Sequence, residues 1–166
     1  MITMGIDPGT ATTGYCVLGS DGREKVSVIE YGCVRTPKTD EPHKRLSQIH
    51  KELSVLFRKF QPKCVAVEKL YFNSNVKTAM AVSQARGVIL LAAAGAGLDI
   101  AEYTPLQVKM ALTGYGRADK RQIQQMVKTL LGLKEIPRPD DAADALAVAL
   151  CHINSSRFNS KIRRAI

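Results

Sequence analysis

No stretch of this sequence is apolar for long enough to cross a bilayer: the longest run, Val88 to Leu98, is about half of the roughly 20 residues that a spanning helix needs. The opening segment, Met1 to Asp7, has neither the basic region nor the apolar core of a signal peptide, so the expectation is a soluble, cytoplasmic chain. Cys16, Cys33, Cys64 and Cys151 lie far apart and form no C-x-x-C pair, which speaks against a disulfide framework or a cysteine zinc site. They read as small buried hydrophobes in a reducing compartment. His43, His50 and His152 show no metal-ligand spacing either. No linker rich in Pro, Gly or Ser divides the chain, and no repeat is present. With 166 residues and 45% hydrophobic content, the sequence suits a single core. We therefore expect one domain over residues 1–156. Residues 157–166, with Arg157, Lys161, Arg163 and Arg164 and no acid, are expected to form a basic, mobile tail.

Charge is present mainly with one sign. The formal net charge is +9, and it is regional: residues 1–40 carry four Lys or Arg against five Asp or Glu, whereas residues 109–138 carry seven against two. A basic region of this kind favours a polyanionic partner, although a solvated basic face would look the same.

Turn signals and hydrophobic periodicity divide the chain into elements. Ile2–Asp7, Thr12–Leu18 and Val26–Val34 read as strands of an antiparallel meander, separated by Pro8-Gly9 and by Ser20-Asp21-Gly22. Apolar residues recur at helical spacing from His43 to Phe60, and Val65–Glu68 is a short strand after that helix. A long helix over about Val76–Ala96 follows, apolar on every side in its second half, a pattern that suits the core or a subunit contact. Leu98–Tyr103 is a fifth strand, and Thr104-Pro105 opens the first of two helices, Pro105–Leu112 and Asp119–Leu131. The last helix starts near Asp140 and runs to about Ser155. The expected fold class is α/β, a five-stranded mixed sheet with helices on both faces. That order matches the ribonuclease-H-like pattern, and several other α/β folds accommodate it too.

Asp7 and Glu68 each close a strand, and each has a small residue two positions earlier on its own face, Gly5 and Ala66. Small side chains there would let a helix pack close, and the Ala-rich last helix is the candidate. On it, Asp141 and Asp144 stand three apart and share a face, with Cβ atoms roughly 5 to 6 Å apart. If the first and fourth strands are neighbours, the four acids converge. Crowded carboxylates raise one another's pKa unless a cation neutralises them, and Mg²⁺ suits such a set. A two-ion site would activate water for in-line attack on phosphorus. Taken singly, Asp7 could instead initiate the Pro8-Gly9 turn and Asp141 could cap a helix; Asp140, just after Pro139, reads as a cap.

Gly5-Ile6-Asp7-Pro8-Gly9, Val67-Glu68, Gln84-Ala85-Arg86-Gly87 and Asp141-Ala142-Ala143-Asp144-Ala145-Leu146-Ala147 together resemble the RuvC family of Holliday-junction resolvases, in order and spacing over nearly the whole chain. The resemblance implies a homodimer with two active sites on one face, Mg²⁺ or Mn²⁺ dependence, and paired symmetrical nicks that resolve a four-way DNA junction in recombination and repair. It carries the family's four acidic positions onto Asp7, Glu68, Asp141 and Asp144. By the same resemblance, Tyr71, with Phe72 beside it, takes the place of an aromatic that contacts bases near the crossover, and Lys109 and Lys120 match basic positions linked to DNA contact or catalysis. It also implies a branch-migration motor of the RuvA-RuvB type as partner. Independently, Arg117, Lys120 and Arg121 follow Gly114-Tyr115-Gly116, where a basic loop entering a helix would grip phosphate.

Three other readings stand beside this one. The same acids and metal would serve a ribonuclease H acting on RNA-DNA hybrids, and a noncatalytic junction binder is a further reading, at odds with four acids that repel phosphate unless metal is bound. The Gly5 to Thr10 segment is also similar to the first phosphate-binding hairpin of actin-like and sugar-kinase ATPases, which need two such domains where this chain has residues for one.

Overall fold

Small, β-branched and other apolar residues dominate the first third of the chain, and they form a meander of β1 (Ile2–Asp7), β2 (Thr12–Ser20) and β3 (Val26–Arg35). The structure, a computed structural model, describes residues 1–21, 25–69 and 76–165, with side chains for all of these except 76–78 and 159–165. β1 pairs antiparallel with β2 in unbroken register, from Ile2 opposite Gly19 to Asp7 opposite Gly14. β2 pairs antiparallel with β3, with an irregularity between Val17 and Leu18.

The amphipathic helix α1 (Pro42–Phe60) buries Ile49, Leu53 and Phe57 and ends where Gln61 takes a left-handed conformation, φ 45°, ahead of Pro62. It carries the chain to β4 (Cys64–Glu68), which lies parallel to β1 with Gly5 opposite Ala66. α2 (Val76–Gly95) then leads to β5 (Asp99–Tyr103), parallel to β4. The sheet order is β3-β2-β1-β4-β5. This is the mixed five-stranded sheet expected, and the two acid-bearing strands are neighbours in it.

Three helices complete the chain: α3 (Pro105–Thr113), α4 (Lys120–Leu130) and α5 (Asp140–Ala165). Thr104 with Gln107, and Asp119 with Gln122, form reciprocal capping boxes that satisfy the first backbone N–H groups of α3 and α4. α5 continues through Ala165 rather than ending near Ser155, because residues 156–165 contain neither proline nor glycine to stop it. The side chains from 159 onward, on which an expectation of tail mobility rests, lie outside the described residues.

Both faces of the sheet are covered, by different sets of side chains. Met4, Ile6, Val17, Val65 and Val67 pack with Ile49, Leu53 and Phe57 of α1 and Ala85 and Ile89 of α2. Cys16, Leu18 and Ala66 pack on the other face with α3, α4 and the alanine-rich stretch of α5. All four cysteines are free thiols, three of them buried. Among the described residues no helix is long and apolar enough to cross a membrane.

Candidate active site

The small residues on the α5 side of the sheet determine how close that helix comes. A methyl added to Gly5 would collide with the Ala145 carbonyl oxygen and lie 2.8 Å from the Ala149 Cβ. A methyl on Gly14 would collide with the carbonyl oxygen of Asp141 itself. α5 therefore sits in a seat cut by two glycines on neighbouring strands, with Ala142, Ala145 and Ala149 buried in it. The role of Gly5 was legible in the sequence. Gly14 was missed there, though a glycine inside a strand is itself a signal of close backbone approach.

This seating brings the acids together. Asp7 and Glu68 close β1 and β4, adjacent parallel strands spaced about 4.8 Å apart, and both side chains are half-buried. Asp141 and Asp144, also half-buried, face them from the first turns of α5. Burial, then repulsion by Asp144, Glu68 and Asp141, pushes the Asp7 carboxyl up to about 8, and Lys120 only partly offsets this. Burial and Asp144 push Glu68 up to about 7 against the pull of Lys109 and Lys120. Asp144 is raised by burial too, although the Lys120 ammonium opposes the shift. The site lies at the carboxyl ends of the parallel strands, the usual place for a ligand in an open α/β sheet.

Lys120, the first residue of α4, donates to Asp144 Oδ2 at 3.1 Å and lies 3.5 Å from Asp140 Oδ2. Burial disfavours its charged form, but the bonds to Asp144 and Asp140 prevail and raise its pKa. Asp140, read from its position in the sequence as a cap, is held by other side chains. It begins α5 and its carboxylate takes three side-chain partners: Arg138 at 2.6 Å, Gln124 at 3.2 Å, and Lys120. Lys109 and Lys120 line one cleft with Glu68 and Asp144, floored by Val108, Ile123 and Val148. Arg117 and Arg121 are exposed at the entry to α4 and do not line that cleft. Tyr71 and Phe72 lie outside the described residues. Arg86 of the Gln84 to Gly87 motif forms an ion pair with Glu102 of β5, which ties α2 to the sheet edge.

Among the described residues no three Asp, Glu, His or Cys side chains stand close enough to make a ready-made metal cage. That does not conflict with a metal role, because Mg²⁺ keeps several waters and takes only one or two carboxylates together with substrate phosphate. The donor chemistry fits such an ion: four oxygen-bearing acids share one side of the sheet, and two of them are driven toward the neutral form when no cation is present.

Sheet order and acid placement together define the ribonuclease-H-like class of α/β domain. The family model of the crossover junction endodeoxyribonuclease RuvC matches residues 3–152. A RuvC from Syntrophomonas wolfei is 54% identical over 160 residues, covering 96% of this chain and 92% of that protein. The solved RuvC structure from Thermus thermophilus superposes with a TM-score of 0.88 at 38% identity, covering 96% of this chain and 97% of the other. The same protein in complex with a Holliday junction substrate gives 0.87 at 36% identity, covering 95% and 96%. The chain belongs to the RuvC family of crossover junction endodeoxyribonucleases.

Proposed function

We propose that Asp7, Glu68, Asp141 and Asp144 hold the divalent ions with which this chain cuts Holliday junctions. The observation that carries this reading is the convergence of four half-buried acids on one side of the sheet, with Asp7 raised to about 8 by burial and its neighbours. Mg²⁺, with Mn²⁺ as a substitute and two ions per site, supplies Lewis-acid activation of the reacting phosphate and neutralises charge on the departing 3′ oxygen when bound.

The chain's own residues do the rest. Gly5 and Gly14 fix α5, so that Asp141 and Asp144 are held by backbone position rather than by side-chain reach. Lys120 takes up negative charge from Asp144 and Asp140 and offers its ammonium to a phosphate entering the cleft. Lys109 lines the same cleft and adds a second cation, while Arg117 and Arg121, exposed beside it, extend the basic surface that DNA would follow. Tyr71, with Phe72, is assigned by family resemblance to contacts with bases near the crossover. Two copies related by a two-fold axis would place two such sites against a substrate of the same symmetry, giving paired nicks in the cytoplasm during recombination and repair. A branch-migration motor of the RuvA-RuvB type is the partner that the family suggests.

The test is incubation with a mobile four-way junction, with and without Mg²⁺, mapping both nicked strands. Symmetrical, ligatable nicks that require the ion are expected. Random nicking, or preference for an RNA-DNA hybrid, would overturn the assignment of substrate.

A further inference from the structure

The acids divide two depressions. Glu68 and Asp144 border the cleft with Lys109 and Lys120, on the β4 and β5 side of the sheet. Asp141, which packs over Gly14 of β2, instead borders a separate groove of about 530 Å³ between the β1–β2 turn and α2. Among the described residues its walls are Gly9 to Ala11 of the turn, Thr12 at the start of β2 and, from α2, Ala81 and Val82, and the cation that lines it is Arg45 of α1.

Arg45 is held in an unusual way for a half-exposed arginine. Its Nε donates to Thr36 Oγ1 at 2.8 Å, and the buried Thr36 hydroxyl in turn donates to the Thr10 carbonyl at 2.5 Å. Thr36 N–H also donates to Ala11 O at 3.1 Å, and Thr10 Oγ1 donates to Ala81 O at 2.9 Å, so turn, strand end and α2 are locked together around the groove. Among the described residues no carboxylate forms an ion pair with Arg45, and the Nε bond leaves its two terminal nitrogens uncommitted. A guanidinium fixed by Nε and open at its terminal nitrogens presents the fork that matches a phosphate.

We propose that this groove is a second subsite for a backbone phosphate of the bound DNA strand, with Arg45 as its cation and Thr36 as the residue that positions the guanidinium. The inference rests on the proposed function, since it needs a strand lying across the acids. A strand gripped only by Lys109 and Lys120 would be anchored on one side of the point of attack and would pivot over four repelling carboxylates. A second grip beyond Asp141 removes that freedom and holds the phosphorus in line.

The test compares wild type, Arg45→Ala, Arg45→Lys and Thr36→Val by junction affinity across a salt series and by single-turnover cleavage at saturating enzyme. Arg45→Ala should flatten the slope of log Kd against log salt by about one unit and slow cleavage about tenfold or more. Arg45→Lys should keep the slope but leave cleavage slow, because a point charge replaces the fork. Thr36→Val should likewise keep the slope and slow cleavage. An Arg45→Ala variant with wild-type slope and rate, whatever its urea midpoint, would reduce Arg45 to a structural clamp and overturn the proposal. Were the wild type to cut another nucleic acid instead, the reading of substrate would fail, while the same slope comparison on that ligand would still decide the role of Arg45.

Discussion

Asp7 concentrates the chemical tension of the site. Its folded pKa near 8 lies above the ordinary carboxylate value of 3.8, so the folded chain without metal holds a proton that the unfolded chain releases. Stability from this group is therefore complete below about pH 4 and is lost as pH rises through about 8; Glu68, raised to about 7, adds to the same trend. Metal-free protein should show a melting temperature that falls as pH rises from 5 to about 8, read by thermal scanning in chelator. Asp7→Asn should flatten that fall, and Mg²⁺ should reverse it in the wild type. The same variant should abolish cleavage while leaving junction binding intact or tighter in gel-shift titrations, since it removes a charge that repels phosphate. Lys120 opposes the rise at Asp7, Glu68 and Asp144 alike. Lys120→Met should therefore move the acidic limb of the cleavage pH profile to higher pH, besides lowering the rate. The four acids were legible in the sequence because each ends a strand or shares a helical face. The tie between Lys120 and Asp140 was not, because an acid after proline at a helix start looks like a cap and its partner is 20 residues earlier on another helix.

At the scale of the element, α5 and its seat decide the outcome. Gly14→Ala should cost about 1 to 3 kcal/mol in urea unfolding through overpacking, and Gly5→Ala a similar amount. Gly14→Ala should also depress cleavage more than binding, because the atom it displaces is the backbone of Asp141. Deeper under the same helix, Thr3 is fully buried and its hydroxyl has no hydrogen-bond partner among the described residues. Thr3→Val keeps the shape and removes the unmet polar group, so it should stabilise the chain by about 1 kcal/mol. Strand and helix identities could be read from periodicity and turn residues. Their ends were less legible: α5 was expected to end near Ser155, yet basic residues near a helix C-terminus favour the helix dipole, and the helix runs on to Ala165.

For the whole molecule, the proposed two-fold assembly makes a direct prediction. Light scattering should give a mass of twice the 18.1 kDa chain, and a mixed dimer with one Asp7→Asn protomer should nick one strand of the junction and leave its mate intact. A monomer that makes paired nicks would contradict it. The order of strands in the sheet could be inferred only conditionally from sequence, since pairing of β1 with β4 depends on a crossover by α1 that periodicity cannot direct. The two glycines beneath α5 carry a last consequence, for anyone mining genomes for active relatives. A chain that keeps all four acids but bears a side chain at position 5 or 14 would pass a filter based on carboxylates and still lack the frame that aims them. Reading positions 5 and 14 beside the four acids would therefore check for the seat of the helix as well as for the charges it carries.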